Sequence, residues 1–224
     1  MQDHLPAYVF QAIQQHLRTA SLAGEKGWHA GKDEEDTLTG HYLSKLQTDE
    51  WQVVSIEGVE WRWKFNYKKF ASKGTDAPEK HLGADGIIQI ELQDMRQRTS
   101  RYKGLLFQAK KLGGYSKSTL VEQVEKMEGI APGISAVFEY GPHQFLGIPS
   151  RHYIGDQKLL AENDGPSRLG DFLADQFLPC RVGLRGLYYI AKSLIVPDKT
   201  EGVIRVRGLL GHRLNILVRQ RKRW

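Results

Sequence analysis

The chain has 224 residues, carries 32 Lys and Arg against 26 Asp and Glu for a net charge of +6, and is 40% hydrophobic. That length suits one compact domain, since single cores run to roughly 200–250 residues, and the apolar fraction excludes disorder throughout. A single cysteine, Cys180, excludes an internal disulfide framework and a multi-cysteine zinc site, and fits a reducing cytoplasm.

Residues 1–22 lack the basic-then-apolar layout of a secretory signal. No apolar run approaches the roughly 20 residues of a membrane span, so a soluble cytoplasmic protein with no membrane partner is expected. The excess positive charge permits a polyanionic partner without requiring one.

Leu5, Val9, Ile13 and Leu17 recur at every fourth residue and predict an amphipathic helix that stops at Gly24 and Gly27. Asp33 is the expected N-cap of a second helix, with Glu34, Glu35 and Asp36 in its first turn and Leu38, Tyr42 and Leu46 facing inward. From residue 51 to 67 the period changes to two: Trp61, Trp63, Phe65 and Tyr67 alternate with Arg62, Lys64, Asn66 and Lys68. This is a strand, or a hairpin broken at Gly58, with aromatics on the core side and basic residues outside. Residues 71–83 form a polar surface loop that includes His81.

Two strands are expected at 85–92 and 104–111, joined by a polar connection that contains Arg96, Arg98 and Arg101. A helix over 118–128 follows, with Gln123 near the edge of its apolar stripe, and then a hairpin around Gly141-Pro142. A short helix at 169–177, strands at 203–209 and 214–218, and a basic tail from Arg219 to Arg223 complete the chain. The order predicts an α/β fold with a mixed central sheet flanked by helices, a single domain over residues 1–224 with its core at about 33–149 and a C-terminal extension at about 150–224.

Two polar side chains stand out on an otherwise apolar strand. Leu106, Gln108 and Lys110 share one face, and Leu105, Phe107 and Ala109 the other. Burying an amide and an ammonium costs several kcal/mol each unless partners are supplied, so a polar network or a site must sit there. Antiparallel pairing with the preceding strand would bring Asp85 beside Gln108 and Lys110. Glu91, six residues further on, would lie roughly 20 Å from Asp85 and could not share a cation with it.

Aspartate at a strand start followed by Gln-x-Lys on the next strand resembles the core of the PD-(D/E)XK nuclease superfamily, in the Gln-x-Lys variant of Mrr-type restriction endonucleases. The resemblance spans about residues 33–148 and implies a restriction-endonuclease-like sheet. It implies that Asp85, Gln108, Lys110 and Glu35 are catalytic, with Glu34 the alternative helix acid. Asp85, Glu35, the amide oxygen of Gln108 and the carbonyl of Ala109 would hold Mg²⁺ or Mn²⁺, and Lys110 would orient the attacking water. Many relatives have Glu where this chain has Gln108, which removes one negative ligand. Arg96, Arg98, Arg101 and Lys111, with Lys103 among them, would meet the DNA backbone.

The resemblance therefore implies a metal-dependent endonuclease acting on double-stranded DNA, in the setting of an anti-phage defence effector activated by a protein partner or by homo-oligomerisation. A non-catalytic nucleic-acid-binding or assembly subunit that keeps the fold is the competing reading, and cleavage of RNA a third. Without a cation, the same residues would be a structural Asp–Lys pair with a stabilising amide.

Overall fold

In a computed structural model of the chain, the described residues are 4–31, 34–56, 58–70, 82–95, 97–155, 165–190, 192–198, 202–207 and 210–222. Helix α1 (Ala7–Glu25) buries Val9, Ile13 and Leu17, the stripe its fourfold spacing predicts, and a further turn, α2 (Trp28–Gly31), follows it. Helix α3 (Glu35–Leu46) faces inward through Leu38, Tyr42 and Leu46. Glu34 is its first flanking residue, and the expected cap at Asp33 lies outside the described residues.

Strands β1 (Gln52–Ile56) and β2 (Val59–Lys69) form the hairpin at Gly58, with Trp61, Trp63 and Phe65 buried. Strands β3 (Gly86–Asp94) and β4 (Thr99–Lys111) pair antiparallel, and β4 starts five residues earlier than its apolar run because the intervening connection is a short turn. Helix α4 (Lys117–Ile130) leads to β5 (Ser135–Tyr140) and β6 (Phe145–Pro149).

The remaining elements are β7 (Ser167–Arg168), α5 (Leu169–Asp171) running into a π-helical turn over Phe172–Phe177, β8 (Leu184–Arg185), β9 (Tyr188–Ile190), β10 (Ser193–Asp198), β11 (Gly202–Arg207) and β12 (His212–Lys222). The loop expected at 71–83 falls outside the described residues over 71–81, as do His81, Arg96 and Arg223.

The principal sheet runs β1-β2-β12-β3-β4-β5-β6-β7, with β8 on β4. Two neighbours are parallel, β12 with β3 and β4 with β5, so the sheet is mixed and the fold is α/β, consistent with a restriction-endonuclease-like arrangement. The last strand in the sequence thus lies between β2 and β3, and the segment after residue 149 completes the sheet from within. Helices α1 and α3 and the π turn cover one face over Ile88, Phe107, Phe138 and Ile216, while α4 and a separate β9–β11 sheet cover the other over Ile87, Leu106 and Val137. Burial on both faces is why β3 to β5 read as nearly continuous apolar runs.

Lys103 departs from its expected role. It is wholly buried, its ammonium donating to the Phe177 carbonyl and lying 4.3 Å from the Phe177 ring centroid. Burial lowers its pKa to about 8. It belongs to the core of the α1 face and is not part of a nucleic-acid surface.

Ile216 is buried at the centre of β12, whereas Val53 on β1 is 49% exposed. Ile216→Ala is expected to lower unfolding stability by about 2–5 kcal/mol and Val53→Ala by less than about 0.5 kcal/mol, read from denaturant midpoints.

His16 packs against Trp63 and Phe65 with centroid separations of 5.2 and 4.6 Å, and its Nε2 is 2.8 Å from the Leu46 carbonyl, to which it donates. Burial holds its pKa below the ordinary 6.5, against the opposing pull of that carbonyl. The unfolded chain therefore takes up this proton before the folded one does. The neutral ring's contribution is complete above pH 6.5 and is lost as pH falls below it. Urea midpoints at pH 7.5 and 5.5 should show a smaller acid loss in His16→Gln than in the parent chain.

Candidate active site at the overhang of the central strand

Strand β3 begins at Gly86, opposite Phe107, but β4 continues four residues further to Lys111. Beyond Phe107 the β3-side edge of β4 has no strand partner among the described residues, and its backbone groups must find other bonds. Acids fill the edge. Asp85, immediately before β3, accepts at Oδ2 from the Ala109 N–H (2.7 Å) and from Gln108 Nε2 (2.6 Å). Glu35, at the start of α3, accepts at Oε1 from the Lys111 N–H (2.9 Å), and its Oε2 lies 3.6 Å from Lys110 Nζ. The two amides are two residues apart on one edge, so the carboxylates dock about 7 Å apart along the strand.

The main chain around Asp85 is fixed from both sides. Its N–H donates to the Phe107 carbonyl (2.9 Å), and its carbonyl accepts from Gly211 and His212 (2.8 and 3.1 Å). The turn into it depends on Gly83, at φ +68°, where an added Cβ would stand 2.3 Å from the Gln123 carbonyl. No side chain fits there.

Behind Glu35, Tyr140 is completely buried, and its hydroxyl donates to Thr39 Oγ1 (3.0 Å), which donates to the Glu35 carbonyl (2.8 Å). Burial pushes the Tyr140 phenol far above its ordinary range, and the nearby Asp85 and Glu35 add to the shift. It stays a neutral donor.

Asp36 turns the other way, to His212 Nε2 (2.8 Å) and the Lys69 ammonium. A carboxylate only accepts, so Nε2 carries the proton and Nδ1 accepts from the Tyr67 hydroxyl at 2.8 Å. Burial pushes Asp36 up, but Lys69 and His212 outweigh it and hold the carboxyl below its ordinary value. Burial lowers the His212 imidazole despite Asp36, and raises Tyr67 to about 12.

The donor set fits a hard cation. Among the described residues Gln108 Oε1 is buried without a hydrogen-bond partner, an omission that costs about 1–3 kcal/mol unless something else uses the lone pairs. The Ala109 carbonyl points to the same edge as its N–H and has Gln108 Nε2 within 3.5 Å. With the Asp85 and Glu35 carboxylates these are oxygen ligands of the kind Mg²⁺ and Mn²⁺ take, with waters filling the remaining positions. Among the described residues no group of three or more His, Cys, Asp or Glu converges into a metal cage, so any cation here must use amide and carbonyl oxygens as well. Gln123 Oε1, on α4, is a second buried oxygen without a partner.

The structure brings together Asp85, Gln108, Ala109, Lys110, Glu35 and the backbone of Lys111. Glu34 is exposed and accepts from Thr37. The arginines are elsewhere. Arg98 and Arg101 flank the turn at the opposite end of β4, and Arg101, nine residues before Lys110, is about 30 Å from it along the strand. Glu91 is also at that end, accepting from Gln93 and Tyr102. His212 and Tyr140 emerge only from pairing between distant strands, and no local pattern in the sequence points to either.

No protein-family model matches the chain, and no curated protein or solved structure matches it either.

Gln108→Glu tests the donor set. A carboxylate opposite Asp85 should repel it in EDTA at pH 7 and lower the melting temperature by about 2–8 °C. Excess Mg²⁺ should raise the variant's melting temperature more than the parent's. A variant that melts higher in EDTA and ignores Mg²⁺ would contradict the arrangement.

Proposed function

We propose that the chain is a metal-dependent endonuclease that hydrolyses phosphodiester bonds in double-stranded DNA. One observation carries this reading: two carboxylates, an unpartnered amide oxygen and a lysine ammonium converge on four consecutive residues at the end of one rigid strand. The resemblance to Gln-x-Lys nucleases supports it from the sequence.

Asp85, Gln108 Oε1, the Ala109 carbonyl and Glu35 would hold Mg²⁺ or Mn²⁺. The bound cation supplies charge neutralisation at the phosphate and a more acidic water. Lys110 has the attributes of a water-orienting group. Its side chain is only 13% exposed, and its ammonium stands beside Glu35, where it can donate to an attacking water and stabilise the hydroxide character that grows on it. The attacking water gives up a proton to solvent as its oxygen forms a bond to phosphorus and the ester bond breaks, and the leaving alkoxide takes a proton from solvent. Ala109 and Lys111 hold the acids through their amides, so the ligands are in place before substrate arrives.

A second reading, a non-catalytic nucleic-acid-binding subunit that keeps the fold, draws on the fact that, among the described residues, two acids reach the overhang. In plasmid cleavage with Mg²⁺ or Mn²⁺, Lys110→Ala should lose about 10²-fold or more in rate, within the range for a general acid–base group. Its affinity for duplex DNA, read by gel shift in Ca²⁺, should stay within about threefold, because one cation among several phosphate contacts is lost. EDTA should stop the parent and Mg²⁺ restore it. Undiminished cleavage by Lys110→Ala would reject the mechanism, and DNA binding with no cleavage under either metal would favour the second reading.

A further inference from the structure

At the other end of β4, about 30 Å from Lys110, lies a cleft of about 430 Å³ that the phosphodiester site does not use. Tyr102 and Tyr188 line it as a stacked pair, with centroids 4.1 Å apart and rings inclined by 22°. Ile195 and Pro197 add apolar surface, and the guanidiniums of Arg101 and Arg185 complete the lining. Both tyrosines are only partly buried and both arginines are exposed, with Arg101 Nη1 donating to the His4 ring (2.9 Å) and Arg185 hydrogen-bonded to Cys180.

These groups select a ligand by its chemistry. Stacked phenol rings offer a flat face to another planar ring, while arginines favour a phosphate or carboxylate. Inorganic phosphate would leave the aromatic and apolar walls unused, and a purely apolar ligand would leave the arginines unused. The volume falls within the roughly 300–1,000 Å³ of small-molecule sites. Tyr102 also donates to Glu91 Oε1 at 3.3 Å, and burial with Glu91 beside it raises the phenol, so the wall stays neutral.

We propose that this cleft binds a nucleoside phosphate, its base stacked on the Tyr102–Tyr188 pair and its phosphate held by Arg101 and Arg185. The nucleotide can be free or one unit of a single strand, and the two sources share this chemistry. The cleft's proposal does not rest on cleavage at the overhang.

The test uses the full chain in EDTA, where metal-dependent cleavage is off, with calorimetric titration by AMP, GMP, CMP and UMP separately and by a twelve-residue oligothymidylate. At least one probe should bind saturably below 1 mM. Tyr188→Ala and Arg185→Ala should each weaken it about tenfold or more, the order expected for losing a stacked base or a phosphate contact, and Tyr188→Phe should keep the affinity within about threefold. If Tyr188→Ala fails to fold by circular dichroism, the exposed Arg185→Ala and the conservative Tyr188→Phe decide. Tight mononucleotide binding that the oligonucleotide does not displace assigns a free nucleotide, and competitive, tighter oligonucleotide binding assigns a single strand. The proposal is overturned by no saturable binding, by binding unchanged in Arg185→Ala, or by displacement with equimolar inorganic phosphate.

Discussion

The mismatch in length between β3 and β4 is the constraint from which the site follows. Where β3 stops opposite Phe107, β4 presents two N–H groups and a carbonyl with no strand beside them. Open backbone donors on a buried strand must be satisfied, and carboxylates satisfy them well because a charged acceptor roughly doubles the strength of the bond. Asp85 and Glu35 are therefore held where they are by a structural need. The same docking leaves carboxylates, an amide and a carbonyl oxygen crowded at one edge, the arrangement a divalent cation relieves. The structural role of these acids and the role proposed for them in catalysis would both follow from one truncated ladder.

The overhang is kept rigid by elements far apart in sequence. The Asp85 carbonyl is bonded to Gly211 and His212 at the head of β12, and the His212 ring links Asp36 to Tyr67. Neighbouring acids of one helical turn are thereby divided: Glu35 faces β4 and Asp36 faces β12. That division fixes the rotation of α3 about its axis, and Tyr140 fixes its height through Thr39. The Glu35 carboxylate itself is anchored by the Lys111 amide and the Lys110 ammonium.

Much of this was legible in the sequence for identifiable reasons. Local periodicity located α1, α3, the β1–β2 hairpin and the apolar strands, because each buries a regular stripe. The convergence of Asp85, Gln108 and Lys110 followed from one antiparallel pairing, which the short β3–β4 turn enforces. The place of β12 was not legible, since its parallel pairing with β3 closes a loop of more than 100 residues and depends on no turn chemistry. With β12 went His212. Lys103 misled for another reason: a lysine between basic residues on a strand alternates outward by default, and the Phe177 carbonyl and ring, 74 residues later, together with the Cys180 thiol, make its burial tolerable.

The opposite ends of β4 carry opposite chemistry. At the overhang, acids concentrate negative charge and the nearby cations are engaged: Lys110 with Glu35, and Lys69 with Asp36. At the hairpin end, Arg98 and Arg101 are exposed and the partly buried Tyr102 and Tyr188 rings are stacked. Under the proposed function, a polyanion would be repelled by the first surface until a divalent cation neutralised it, and attracted by the second without one. Net charge, spread evenly in the mind over 224 residues, conceals this polarity. Resolved along one strand, it separates an acidic end suited to a divalent cation from a basic end suited to an anion.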